Sequence, residues 1–252
     1  MTAAQPVPVG LATIFAGAGG QFAVELRRLR HDRVGILSLP LTIVSAVAVA
    51  SSVPHDIRSA PLAVRSAVAE EFGDALLDNL LIFAAVVAGL RIAIAMQTGV
   101  LPRDMLFARR LPVLVAHGVS TVVVNIIFTA IGLVVIVVSL LTVTGENGLR
   151  ADSIVRALGA AVAVSLWGFC LGASVRNPII VLFVVPASLM PSGLLGSIIP
   201  TSASVAPYDS FTALVGHSST ALSSVGALWA SVGWLAAAVT LTGVLMSRRD
   251  VL

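Results

Sequence analysis

Between Val113 and Val143 the chain reads VLVAHGVSTVVVNIIFTAIGLVVIVVSLLTV, thirty-one residues without one Asp, Glu, Lys or Arg. A helix rises about 1.5 Å per residue, so about 20 apolar residues cross a hydrocarbon core of roughly 30 Å. This segment exceeds that need, which predicts a helix that is tilted or projects beyond a bilayer. Five more apolar segments flank it, near Val34–Val53, Leu80–Met96, Ser153–Val175, Ile179–Ile199 and Ser223–Met246. Only 11% of the 252 residues are charged, against about 25% in soluble domains. A water-facing surface of this size cannot be built from so little charge.

The expected fold is therefore an all-α membrane protein with six transmembrane helices spread over residues 34–246, preceded by a cytoplasmic arm at 1–33 and followed by a short tail at 247–252. The fifth segment contains Pro186, Pro191, Ser192 and Gly193, with Pro200 and Pro207 beyond it. Such a composition predicts a broken helix or a re-entrant outer segment.

Arginine distribution sets the orientation, because short cytoplasmic loops hold the excess of basic residues. With the N-terminus inside, ten arginines fall on the inner side (Arg27, Arg28, Arg30, Arg33, Arg103, Arg109, Arg110, Arg176, Arg248 and Arg249). Arg58, Arg65, Arg150 and Arg156 fall outside, and eight of the twelve acids, Asp209 among them, also lie outside. Both termini are thus expected in the cytoplasm of a multi-pass protein of a bacterial inner or plasma membrane. No basic region precedes the first apolar stretch, Val7 to Ala18, an order that argues against a cleaved signal peptide.

Two polar stretches read as helices outside the spans. Leu11, Ile14, Phe15, Ala18, Phe22, Leu26 and Leu29 recur at helical spacing while Glu25, Arg27, Arg28 and Arg30 mostly face elsewhere. This pattern predicts an amphipathic helix along the inner interface, its arginines meeting anionic headgroups; a cytoplasmic extension of the first span is the other reading. In the first outer loop, Pro61 to Leu77 places Leu62, Val64, Val68, Phe72, Leu76 and Leu77 roughly on one side, predicting a short surface helix.

Catalytic patterns are sparse. The basic residues are all arginine, so no phosphate loop with its lysine exists in this chain, and any ATP must be bound by another. No basic patch is interleaved with aromatics as a nucleic-acid binder requires. His31, His55, His117 and His217 share no metal-ligand spacing, and the single Cys170 sits in an apolar run as a packing residue. Ser192 beside Gly193, with His117 or His217, is the only arrangement that could be read as an intramembrane serine hydrolase. No metal or cofactor is expected on this chain.

Arg91 lies inside a spanning pattern (LLIFAAVVAGLRIAIAM, Leu80–Met96). It is either a counter-ion in a pathway or an arginine that snorkels to the interface, the second being favoured. Asn125 in the third span is read first as an interhelical hydrogen bonder and second as a pathway residue. The inner loop Thr98–Pro112 carries Pro102, suited to a first helical turn, then Arg103, Asp104, Met105, Leu106, Phe107, Arg109 and Arg110. It reads equally as a docking helix lying along the membrane or as an interfacial loop whose arginines only set topology.

At this point the chain resembles the permease subunits of ABC-2 type transporters. The likeness lies in the plan: Glu25-Leu26-Arg27-Arg28-Leu29-Arg30 before span one, a cytoplasmic helix between spans two and three, the segment PSGLLGSIIPTSASVAPYDSF after span five, and span six running into Ser247–Leu252. The resemblance implies a non-catalytic transmembrane half of an exporter, pairing with a second permease copy or paralogue and with a cytosolic ABC ATPase that holds ATP and Mg. It also implies that Arg103, Asp104, Met105, Leu106, Phe107, Arg109 and Arg110 form the loop coupled to that ATPase. Gln97-Thr98-Gly99 departs from the acidic residue and Gly-Thr that many members carry before this helix. The implied cargo is hydrophobic or amphipathic, with drugs and antimicrobial peptides favoured and hence a role in antibiotic resistance. The competing expectations are a stand-alone secondary transporter, the Ser192 hydrolase and a non-transporting membrane scaffold or immunity protein.

Overall fold

The computed structural model describes residues 40, 43–44, 47–48, 51–53, 56–107, 110–189, 206–216 and 223–248. Among these residues the regular structure is entirely helical, with no strand. After a 3-10 turn at Ile57–Ser59 come α1 (Leu62–Gln97), α2 (Val100–Phe107), α3 (Arg110–Val143), α4 (Ala151–Val175), α5 (Pro178–Ser188), α6 (Pro207–Val215) and α7 (Ser224–Arg248). Four of them, α1, α3, α4 and α7, are long and apolar enough to cross a membrane. The chain is a helical membrane protein.

The expected surface helix at Pro61–Leu77 and the expected span at Leu80–Met96 form one continuous 36-residue helix, α1. Asp78 and Asn79 between them are weak helix formers, but neither is a breaker. Packing overrides the weakness, since Gly73 lies against Leu149 and Leu140 and much of the helix runs along α4. At about 54 Å, α1 exceeds a hydrocarbon core of roughly 30 Å, so one end must project.

Turn chemistry explains the corners. Thr98 closes α1 by donating its hydroxyl to the Ile94 carbonyl (2.8 Å), and Gly99, at φ +73°, takes the left-handed conformation that swings the chain into α2. Beyond α4, Asn177 accepts hydrogen bonds from the Ile179 and Ile180 amides at 2.9 and 3.3 Å, with Pro178 in the first helical position. The α4–α5 corner is consequently only two residues long. Within the expected fifth span, α5 covers 11 residues with Pro186 inside it. The rest of that span, most of the expected first span and the interfacial helix fall outside the described residues.

Cross-helix contacts give the directions. Gly168 of α4 lies against Ala85 of α1 and Gly172 against Gly89, so these two helices run the same way. Asn125 of α3 meets Ala84 and Ser165, while Gly132 meets Leu80, which makes α3 antiparallel to both. Ser174 of α4 and Arg176 just beyond it reach Thr242 and Met246 of α7, so α7 runs parallel to α4. In their apolar windows α1 and α4 are each 56% buried, against 17% for α7. The first pair is the centre of the bundle; α7 and much of α3 present apolar faces such as Leu228, Trp229, Ile127 and Val134 outward.

Candidate functional site

Along α3, His117, Thr121, Asn125 and Thr129 recur every fourth residue, and all four are buried. Residues four apart stack on one helical face, so α3 carries a polar stripe into the bundle. The first three steps meet neighbouring helices. His117 Nε2 lies 3.8 Å from Asp104 Oδ2 of α2. Thr121 accepts a hydrogen bond from Arg91 Nη1 of α1 at 3.2 Å. Asn125 Nδ2 donates to the Ala84 carbonyl of α1 at 2.7 Å and to Ser165 Oγ of α4 at 2.9 Å. Asn125 Oδ1 and Thr129 Oγ1 are buried without a hydrogen-bond partner. Arg91 and Asn125, singled out separately in the sequence, thus share one boundary with Thr121 between them.

Asn125 joins three helices, yet its energetic weight is bounded. Interhelical hydrogen bonds in membranes are worth about 0.6 kcal/mol on average and about 1.7 at most. Asn125→Leu is expected to cost about 1–2 kcal/mol in reversible unfolding in mixed micelles. A cost above about 3 kcal/mol would mean that Asn125 holds more than these two bonds.

The short helix α2 bridges α1 and α3 at the same end as His117. It begins at Val100, two residues before Pro102, which still lies in the first turn where a missing N–H costs nothing. Leu101 is completely buried and Met105 packs on the core. Asp104 turns to His117 on α3, while Arg103 and Leu106 face outward, Leu106 being 76% exposed. A cleft of about 250 Å³ opens where α1 meets α2, lined by Thr98, Gly99, Val100, Arg103 and Asp104. One face of α2 is anchored and the other is presented.

Several residues anticipated from sequence are not placed. Arg109, Glu25, Arg27, Arg28, Arg30, Ser192, Gly193 and His217 lie outside the described residues, as do the side chains of Phe107 and Arg110. Among the described residues no group of three His, Cys, Asp or Glu could hold a metal ion.

Sequence reasoning missed α6. Asp209, expected in an outer loop, is only 3% exposed, because α6 packs against both α4 and α7. Phe211 wedges beside Trp167, which stands edge-on to Phe211 and Trp234 with ring centres 6.1 and 5.9 Å apart. The available signal was Pro207 in the first helical position followed by Phe211 and Val215 one turn apart. The Tyr208 hydroxyl donates to Asp78 Oδ2 of α1 at 2.7 Å. Burial first, then Asp78 and Asp209, push the Tyr208 phenol above its ordinary range, because ionisation would add a negative charge beside two carboxylates. A raised folded-state pKa gives stability that is complete below the unfolded value near 10 and is lost as pH rises above it. The melting temperature should therefore fall above about pH 10, and Tyr208→Phe should flatten that alkaline limb. An unchanged slope in the variant would exclude Tyr208 as the titrating group.

No protein-family model matches the chain, and no curated protein matches it. The class rests on the chain's own structure: a helical membrane protein with four candidate spanning helices among the described residues, a buried polar stripe and a short bridging helix.

Proposed function

We infer that this chain is the transmembrane subunit of an ATP-driven exporter of the ABC-2 type, working with a separate cytosolic ATPase and a second permease. The observation that carries the reading is α2, a short helix between two long ones, fastened by Leu101, Met105 and Asp104 and presenting Arg103 and Leu106. A docking element needs such an arrangement, because a push on its free face must move the helices behind it. Arginine distribution assigns this end to the cytosol. The parallel course of α4 and α7 supports the expected fifth crossing, since successive spans alternate in direction.

Nucleotide binding would close the ATPase pair and displace α2; hydrolysis would release it. The Asp104–His117 contact carries that displacement to α3, and the Arg91–Thr121 and Asn125 bonds carry it on to α1 and α4. The subunit thereby links a chemical cycle elsewhere to two arrangements of its own helices. Apolar outer faces and the scarcity of charge suit a hydrophobic or amphipathic cargo, with drugs and antimicrobial peptides the favoured classes.

The test is mass-spectrometric identification of what co-purifies stoichiometrically from native cells in mild detergent. A nucleotide-binding subunit is the expected result. Recovery of this chain alone, under conditions that keep other membrane complexes intact, would overturn the reading. One observation favours a second reading, an ion-coupled secondary transporter: Asp209 is buried with Oδ2 unsatisfied, and buried carboxylates in membrane proteins often serve coupling ions. Under that reading Asp209→Asn abolishes ion-driven flux; under the exporter reading it leaves nucleotide-driven flux in place.

A further inference from the structure

At the opposite end of the bundle, where Glu146 pairs with Arg65 at 3.1 Å, a cleft of about 310 Å³ opens between α1, the start of α4 and the end of α6. Its walls differ in charge. The α1 wall carries Glu70 and Asp74, one helical turn apart and so on one face. The α4 wall carries Arg150 and Arg156, which share Asp152 at 3.5 and 3.6 Å. Two guanidinium groups with five donors each are not exhausted by one carboxylate.

The third wall is built to admit Arg156. Gly216 ends α6 at φ +96°, a left-handed conformation that favours glycine. A Cβ there would lie 3.0 Å from Arg156 Nη1. Glycine thus allows both the turn and the close approach of the guanidinium to the backbone.

The height of the cleft narrows the ligand class. Asp152 immediately precedes the apolar run of α4, so the α4 wall of the cleft lies where that run meets the headgroup layer. A purely anionic group would suit the arginines but meet Glu70 and Asp74. A purely cationic group would meet the arginines.

We propose that this cleft binds a zwitterionic phosphate ester bearing an ammonium, the headgroup chemistry of phosphatidylethanolamine. The phosphate lies against Arg150 and Arg156, and the ammonium against Glu70 and Asp74. The assignment is independent of any ATPase partner and goes beyond the exporter reading.

The test uses the full-length, delipidated protein in mild detergent, titrated calorimetrically with dihexanoyl phosphatidylethanolamine and dihexanoyl phosphatidylglycerol. The ethanolamine lipid should bind about tenfold more tightly, the scale of one charge-assisted hydrogen bond. Glu70→Gln should erase that preference, and Arg156→Gln should weaken both lipids by about tenfold. Both side chains are solvent-exposed, and unchanged melting temperatures would verify that the variants fold. Equal binding of the two lipids, or an intact preference in Glu70→Gln, overturns the proposal. Competition by free phosphoethanolamine at similar concentrations would support the headgroup chemistry while assigning it a soluble source. Competition by the acylated form alone assigns it to lipid.

Discussion

Gly168→Val will not accumulate as a stably folded protein. A side chain at this position of α4 would collide with the carbonyl oxygen of Ala85, and its Cβ would lie 2.7 Å from the carbonyl carbon and 3.0 Å from the Cα of the same residue. These are backbone atoms of a facing helix, so no rotamer change relieves the clash; the helices must separate. Overpacking of a core usually costs about 1–3 kcal/mol, and separating α1 from α4 breaks the most extensive interhelical contact among the described residues. The loss should exceed that range. Gly172→Val, facing the Gly89 carbonyl in the next turn, should behave alike.

The control separates this contact from any general need for glycine. A Cβ at Gly159 or Gly233 meets nothing within 4 Å, and alanine is the better helix former by about 0.5–1 kcal/mol. Gly159→Ala and Gly233→Ala should therefore melt at or slightly above the wild-type temperature in detergent. Equal melting of Gly168→Val and Gly159→Ala would refute the close contact.

The second large effect concerns association. Leu106→Glu combined with Arg103→Glu places two negative charges on the presented face of α2 without disturbing its anchored side. Under the exporter reading, ATPase co-purification should fall by at least about tenfold, corresponding to roughly 1.4 kcal/mol or more, with membrane insertion and melting temperature unchanged. Charge reversal at both Arg109 and Arg110 should weaken association in the same direction. Leu101→Ala should instead lower stability, by about 2–5 kcal/mol, through an empty site in the core. If co-purification survives both double variants, α2 is not the docking element.

Much of this architecture is legible in the residues. Charge scarcity and apolar run length identify a membrane protein and predict the positions of α3, α4 and α7 to within a few residues. Arg91 and Asn125 could be singled out because polar groups inside apolar runs are costly. Their shared boundary could not, nor could the Asp104–His117 contact, since each depends on which faces of separate helices meet. The burial of Asp209 was hidden for a related reason. A short polar segment between two apolar ones reads as a solvent loop until neighbouring helices are found on either side of it.

Hydropathy alone identifies the solvent this protein lives in, because it is a sum over local side chains and needs no knowledge of neighbours. Local chemistry also marks particular corners, such as Asn177-Pro178 before α5 and Thr98-Gly99 after α1, because those groups act within a turn. Tertiary structure decided the continuity of α1, the alignment of the polar stripe on α3 and the role of particular glycines. In helices that are apolar all round, hydropathy does not distinguish one face from another; small residues and buried hydrogen bonds select the faces that pack, and those selections exist only once the helices meet.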